Sequence, residues 1–340
     1  MANFDLTTVS AALAQGMAPR VQRTFNSLSV AMRLFRKVPG AGKNLAWDVE
    51  YTGAIGENFS DGADVSNYGI DTPQFASLSW GLYRSNFQIT NQAAAAAASS
   101  FQPQDLINPF ARQMDNSARK LASTLNGVVY SGAGTGTTIA GLALAIKDDN
   151  TYAGIDRSSS THAQFRAKVI DPGTLTDPTI ALIRSDLGSI YDQCGESPDI
   201  ALCNTAVWNK VAGLFTDVTR YNKDAFVNAE GRTITMDASI DAMMIDKCMF
   251  IKDKDATANV IYYLNSNYVE WEYLPPVNLA PDANQSTVMQ LQDQDGELGL
   301  ALSVYPLART GAAAKMTMEV MTQLKVTRPN ACGKRLNVNA

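Results

Sequence analysis

The sequence predicts an α+β chain: an extended β-hairpin, then a long amphipathic helix, then a mixed α/β region and late strands. Three observations carry this. LAWDVEY alternates with a period of two, residues 110–128 carry apolar side chains three and four apart, and strand-length apolar runs bounded by Asn, Asp and Gly recur beyond residue 241. The 340 residues suffice for one large or two ordinary domains, because single cores stop growing at about 250–300 residues.

Residues 1–45 read as an N-terminal arm with thin core patterning that ends in the glycine-rich turn VPGAGKN. Val21, Phe25, Leu28, Met32 and Phe35 fall at helical spacing, which suggests a weak amphipathic helix over 21–35. LAWDVEYTGAI at 45–55 puts Leu45, Trp47, Val49 and Tyr51 on one face of a strand. FASLSWGLYRSNFQI at 75–89 is the expected return strand, with Leu78, Trp80, Leu82, Phe87 and Ile89. Between them lies IGENFSDGADVSNYGIDTP, rich in Gly, Asp and Asn. A connection of that length is out of place inside a compact domain, so it is either disordered or reaches out to something.

After the alanine run 93–98 comes the strongest helix signal. Asn108-Pro109 supplies an N-cap and a proline at the first helical position. Phe110, Met114, Ala118, Leu121, Leu125 and Val128 form the apolar stripe, and Gly132 is the stop. The expected length is about 22 residues, roughly 33 Å. Arg112, Asp115, Arg119 and Lys120 mark its other face. Asp177-Pro178 repeats the cap-plus-proline signal ahead of Ile180, Ile183, Leu187 and Ile190, with Gly195 as the stop. IALCN at 200–204 is a short buried strand, and Asn204 caps a helix bearing Val207, Trp208 and Val211. Strands are expected at 242–251, 259–264, 268–274, 286–291, 298–305 and 315–327.

Chemistry-bearing motifs are scarce. His162 is the one histidine, so a multi-histidine metal site has no material and a histidine-dependent triad only this residue. Cys194, Cys203, Cys248 and Cys332 form no C-x-x-C pair and read as reduced, buried thiols of a cytosolic protein. SGAGTGTT at 131–138 lacks the Gly-Lys-Ser/Thr ending of a phosphate loop and follows a helix rather than a strand, so it reads as a helix stop and flexible turn. DQDGE at 293–297 does not match a twelve-residue calcium loop. The N-terminus has no basic and apolar segments of a secretory signal. The charge-free stretch 121–146 is too polar and glycine-rich for a membrane span. No catalytic residue, cofactor site or metal site is expected.

Composition points toward association. The charged fraction is 18%, below the roughly 25% of typical soluble proteins. Uncharged surface is buried against other subunits at modest desolvation cost. The net charge of −5 argues against nucleic-acid binding by the whole chain. The charge is also uneven. Residues 1–45 carry Arg20, Arg23, Arg33, Arg36, Lys37 and Lys43 against Asp5 alone, whereas residues 46–92 carry Asp48, Glu50, Glu57, Asp61, Asp64 and Asp71 against Arg84 alone.

The order of these segments resembles the major capsid proteins of tailed bacteriophages, the Hong Kong 97-type fold. WDVEYTGAIGENFSDGADV and its return strand look like the family's extended E-loop, and NPFARQMDNSARKLASTLNGVVYSG like its spine helix. GLALAIKDDNTYAGIDRSS looks like the start of the axial domain, and SPDIALCNTAVWNKVAGL like its helix-strand-helix. NVIYYLNSNYVEWEYLPP and QLKVTRPNACGKRL resemble the late strands. The likeness spans most of residues 45–335. It implies an arm at 1–45, an E-loop at 46–92, a peripheral domain at 93–140 and 270–325, and an axial domain at 141–269 and 326–340.

The resemblance further implies hexamers and pentamers of a shell around phage DNA, virion localisation after assembly in the host cytoplasm, and separate scaffold, portal and decoration proteins as partners. Residues 44–119 contain no lysine, so no isopeptide crosslink is expected from this loop. An encapsulin-type compartment shares the fold and is the nearest alternative; a carboxylate-dependent α/β enzyme is the alternative of another class. The charge contrast suggests that the acidic loop of one subunit lies over the basic arm of another. Arg20, Arg23, Arg33, Arg36, Lys37, Glu57, Asp61 and Asp64 are the charged candidates, and Trp47, Phe59, Trp80 and Tyr83 the apolar ones. Trp47 and Trp80 have a second reading, packing of the hairpin base.

Overall fold

The computed structural model describes residues 30–50, 58, 60–62, 73–92, 104–215, 226–227, 233–234, 242–275, 289–291, 302–307 and 313–340. The order begins with α1 (Val30–Leu34), β1 (Arg36–Pro39), β2 (Asn44–Val49), β3 (Gln74–Ser79), β4 (Gly81–Thr90) and the long helix α2 (Gln104–Ser131). Next come α3 (Leu142–Ala145), β5 (Thr151–Tyr152), β6 (Ile155–Asp156), β7 (Lys168–Ile170), α4 (Ile180–Cys194), β8 (Ile200–Cys203) and α5 (Thr205–Gly213). Then follow β9 (Phe226–Val227), β10 (Thr233–Ile234), β11 (Ala242–Ile245), β12 (Cys248–Lys252) and β13 (Ile261–Leu264). The order closes with β14 (Val269–Tyr273), β15 (Met289–Leu291), β16 (Leu302–Pro306), β17 (Ala313–Val326) and β18 (Gly333–Arg335).

These strands build two six-stranded sheets. The first runs β1-β14-β17-β16-β15, with β4 also paired along β17. β17 organises it: Ala313–Thr322 pairs with all of β4, and Thr322–Val326 pairs with β14. The second runs β11-β12-β8-β13-β18-β7. β8 lies inside it, parallel to β12 and antiparallel to β13, which explains why IALC is apolar without alternation: both of its faces are buried.

The helices cover these sheets with the stripes their spacing dictates. Met114, Ala118, Leu121 and Leu125 of α2 are buried in one cluster with Phe87 of β4 and Met316 and Val320 of β17. Ile183 and Ile190 of α4 and Val207 and Val211 of α5 are buried with Phe250 and Tyr263 of the second sheet. Asn204 caps α5, its side chain accepting from the Val207 N–H at 2.9 Å.

Several local expectations change. α2 starts at Gln104 rather than at Pro109 and is 28 residues long. Pro109 lies in its second turn, where it removes the bond its N–H would have made to the Asp105 carbonyl and crowds that carbonyl with its ring. Asp115 is buried rather than solvent-facing, with Arg119 at 3.0 Å one turn on. The cap of α4 is Thr179, whose hydroxyl accepts from the Leu182 N–H at 3.2 Å. Asp177 accepts instead from Lys210 and Asn339, at 3.2 and 2.7 Å.

The stretch 242–251 is a hairpin rather than one strand. It turns at Asp246-Lys247, both with positive φ, a geometry more often signalled by Asn or Gly. The stretch 75–89 is two strands broken at Trp80: β3 pairs with β2, and β4 leaves for β17. Residues 30–35 belong to the body, since Ala31, Met32, Leu34 and Phe35 are buried and β1 pairs with β14. Residues 1–29, 286–288, 298–301 and the DQDGE turn at 293–297 lie outside the described residues.

Candidate assembly site at the hairpin root

β2 and β3 form the stem of the expected extended hairpin, in register from Asn44↔Ser79 to Val49↔Gln74. Alternation gives the ribbon one buried face, with Leu45, Ala76 and Leu78 inside and Ala46, Asp48, Phe75 and Ser77 exposed. Phe75 is 73% exposed, an apolar ring on the outer face of the stem.

The root of this stem is fastened at several points. The Ser77 N–H donates to the Ala153 carbonyl at 2.8 Å, which docks β3 on the β5–β6 turn. That turn is tight because Ala153 and Gly154 both have positive φ. The Ser79 hydroxyl donates to the Gly136 carbonyl at 3.1 Å and the Leu82 N–H to Thr137 at 2.9 Å. The stretch expected as a flexible turn, 131–138, is thus packed against the root together with residues 139 and 140. Ala133 bridges Ala140, and the Ile139 N–H donates to the Tyr83 hydroxyl at 3.1 Å. Burial raises the Tyr83 phenol above its ordinary pKa, while the Ile139 N–H works in the other direction.

Gln323 on β17 joins three of these parts. Its side-chain N–H donates to the Ser79 carbonyl at 2.6 Å, and its carbonyl accepts from the N–H groups of Ala140 and Leu324 at 2.8 and 3.0 Å. It is fully buried, and these bonds satisfy its side-chain oxygen and one of its amide N–H groups.

Beside it lies a ladder of charges. Lys325 on β17 sits 2.8 Å from Glu272 and 3.7 Å from Glu270 on β14, and Arg36 on β1 reaches Glu270 at 3.6 Å. The Lys325 ammonium lies 5.3 Å from the centre of the Trp47 ring, which caps the ladder from the hairpin side. Trp47 also packs on Tyr152, 6.5 Å between ring centres. The Trp80 indole N–H donates to the Gly42 carbonyl at 3.1 Å, and its ring is buried.

The structure therefore brings Arg36, Trp47, Trp80 and Tyr83 together at one root, where each has partners in its own chain. Arg33 and Lys37 lie partly buried on the segment around β1, and Asp61 is exposed. Arg20, Arg23, Glu57, Phe59 and Asp64 lie outside the described residues. Sequence reasoning missed Gln323, Lys325, Glu270 and Glu272. Their only signal was polar residues at alternate positions of expected strands.

Other chemistry-bearing groups lie elsewhere in the fold. Among the described residues no three His, Cys, Asp or Glu side chains group to hold a metal ion, and no helix is long and apolar enough to cross a membrane. Burial pushes the thiols of Cys203 and Cys332 up to about 12 and raises Cys248 well above its ordinary value, which makes them poor nucleophiles. His162 sits partly buried on a short 3-10 turn.

A long helix laid across one sheet, a second sheet with its own two helices, and a two-stranded hairpin stem docked on the β5–β6 turn define a capsid-shell subunit of the Hong Kong 97 type. The chain belongs to the SU10 major capsid protein family, whose model matches residues 61–339. The cyanophage A-1(L) capsid protein is similar over 92% of both chains, with 16% identity and a TM-score of 0.70. The capsid protein of a native GTA particle covers 92% of this chain and 91% of its own, with 11% identity and a TM-score of 0.58. The virus-like particle of Pyrococcus furiosus covers 94% and 98%, with 9% identity and a TM-score of 0.51. Among curated proteins none matches the chain. The function is that of a major capsid protein of a tailed phage, a subunit of an icosahedral homo-oligomeric shell in the virion.

Proposed function

We propose that the chain forms hexamers and pentamers of a phage head without catalysing any reaction, and that the acidic hairpin is its inter-subunit clamp. The observation that carries the clamp is the contrast within the hairpin. Its stem is fastened by Gln323, Trp80 and the 133–140 turn, while Asp61 at the tip is exposed and followed by Gly62 with φ +83. A fastened root restricts where the loop it carries begins and ends, which lowers the entropy lost on docking.

Arg20, Arg23, Arg33 and Lys37 of another subunit are the basic partners in this reading, with Phe59 and Phe75 supplying apolar contact. Each exposed pair is worth about 0–1 kcal/mol, so repetition over the shell sets register rather than bulk affinity. The peripheral domain corresponds to the first sheet with α2, and the axial domain to the second sheet with α4 and α5. Assembly takes place in the host cytoplasm with a separate scaffold and portal. Packaged DNA touches the shell without sequence readout.

Reversing Asp61 and Asp64 to Lys tests the clamp: particle yield in electron micrographs is expected to fall, most steeply at low salt. Normal yield with normal salt tolerance would overturn it. The likeness to the virus-like particle favours one alternative, a cellular compartment shell. Purified particles holding DNA support the phage head, and particles holding cargo protein support the compartment.

A further inference from the structure

β4 lies at an edge of the first sheet. Its ten residues pair with β17 without a bulge, from Ala313↔Thr90 to Thr322↔Gly81. Among the described residues no strand pairs with its other side. Two hydrogen bonds fix the direction of its backbone groups. The Met321 carbonyl of β17 accepts from the Leu274 N–H at 3.0 Å, on the β14 side. Its register partner Leu82 turns its own N–H away from β17, to the Thr137 carbonyl at 2.9 Å. Directions alternate along an antiparallel pair, so the backbone groups of Arg84, Asn86 and Gln88 also point outward. The strand GLYRSNFQIT has no proline and one charge. It therefore lacks the proline, the bulge and the row of charges that usually blunt an edge.

A groove of about 690 Å³ lies between this strand and α2, within the size range of pockets that take up a ligand. Asn86, Gln88 and Thr90 line it from the strand, and Gln113, Asn116 and Lys120 from the helix. The Ser117 hydroxyl of α2 donates to the Ser85 hydroxyl of β4 at 2.8 Å, which ties one wall to the other. Lys120 and Lys315 are the charged lining residues, and among the described residues no carboxylate lines the groove.

We propose that the outer edge of β4 and this groove form a strand-addition site for an extended, carboxylate-bearing segment of another protein. The added strand exchanges main-chain hydrogen bonds with Arg84, Asn86 and Gln88, and its acidic side chains meet Lys120 and Lys315. Alternate side chains of a strand share one face, so carboxylates at every second position all turn toward the groove. The same edge of a second copy is the poorer occupant, because it sets one lysine-lined groove against another and like charges so placed repel. The site is separate from the hairpin clamp, whose basic partners lie on the arm.

The test titrates a fluorescein-labelled peptide of alternating Asp and Val into particles of the full chain and follows its anisotropy. Saturable binding is expected, with none for a Lys-Val counterpart. An N-methylated Asp-Val peptide keeps the charges and loses the backbone donors, so its binding is expected to vanish with the chain unaltered. Asn86→Pro removes an outward N–H and no bond to β17, so it is expected to melt as the wild type does and to abolish binding. Lys120→Glu is expected to weaken binding several-fold. Absence of saturable binding, or equal binding of the N-methylated peptide, would overturn the strand-addition site. So would an Asn86→Pro chain that melts normally but no longer forms particles, since the edge would then hold a second copy. A wild-type chain that forms no particles would count against the shell reading alone, and the same titration is then read on the unassembled chain.

Discussion

Arg157 is fully buried, and its guanidinium is directed at carbonyls rather than at a carboxylate. It donates to Ala145 and Leu144 at 2.7 Å each and to Asn150 through both backbone and side chain. These are the open carbonyls at the end of α3, where a cation also meets the negative end of the helix dipole. Burial lowers its pKa to about 10, still far enough above neutrality to stay charged. A lysine offers one donor centre where the planar fork serves several acceptors. Arg157→Lys is therefore expected to cost about 2–3 kcal/mol, read as a lower denaturant midpoint. An unchanged midpoint would show that the carbonyls are satisfied another way.

Lys334 reaches the same helix, donating to the Ala143 carbonyl at 3.3 Å. Burial first, and Lys147 second, lower its pKa to about 8 from the ordinary 10.5. Above about 8 the folded chain binds fewer protons at this site than the unfolded chain does. This residue's contribution to stability therefore rises from about pH 8 to 10.5 and is flat below. Lys334→Met is expected to hold or raise the melting temperature at pH 7 and to remove that rise. The buried thiols and phenols act oppositely at alkaline pH, so the difference between the two pH profiles is the measurement. Parallel profiles would mean that the amine titrates normally.

At the scale of elements, glycines near the end of α2 show how a turn is chosen. A Cβ on Gly132 would sit 2.3 Å from the Ile139 carbonyl and 2.8 Å from that of Val128, both backbone. Its own N–H donates to Val128 at 2.8 Å, and its carbonyl accepts from Gly141 at 2.9 Å. Gly132→Ala must push the 133–140 turn off the hairpin root and is expected to cost roughly 2–4 kcal/mol. Gly127, five residues earlier and inside α2, has open space around its Cβ position. Gly127→Ala is expected to stabilise by about 1 kcal/mol through helix propensity. Thermal melts of the pair give opposite signs, and a shared sign would mean that the turn is not packed as described.

The hairpin stem was legible from Leu45, Trp47 and Val49 because period-two alternation is local. The break at Trp80 was not. Gly81 passes so close to Ile139 and the Thr322 carbonyl that a Cβ would sit 2.4 and 2.9 Å from them, and those neighbours lie far along the chain. The start of α2 was misplaced for the converse reason. The local proline signal at 109 is real, and the helix continues through it to Gln104.

Over the whole molecule, α2 is tied to the second sheet as well as to the first. Asn126 donates to Asp253 at 2.9 Å and to Asp255 at 2.7 Å, and the Tyr130 hydroxyl donates to Asp253 at 2.8 Å. A buried carboxylate held by neutral donors on a helix restrains where that helix lies, because moving the helix removes those bonds. With no lysine in residues 44–119, particles boiled in detergent are expected to run as one monomer band. A ladder of covalent multimers would show a crosslink supplied from elsewhere in the chain.

The sequence by itself determined the α+β class, the hairpin stem and the stripes of α2 and α4, because these depend on local periodicity and residue types. The family resemblance came from the order of those segments. Tertiary structure alone decided that Arg36, Trp47, Trp80 and Tyr83 meet at one root, that Gln323 and Lys325 complete it, and that the 133–140 turn is held rather than loose. Those contacts join residues from 38 to more than two hundred positions apart, as between Trp80 and Gly42 or Ser79 and Gln323, and pairing at such range leaves no periodic trace in either segment.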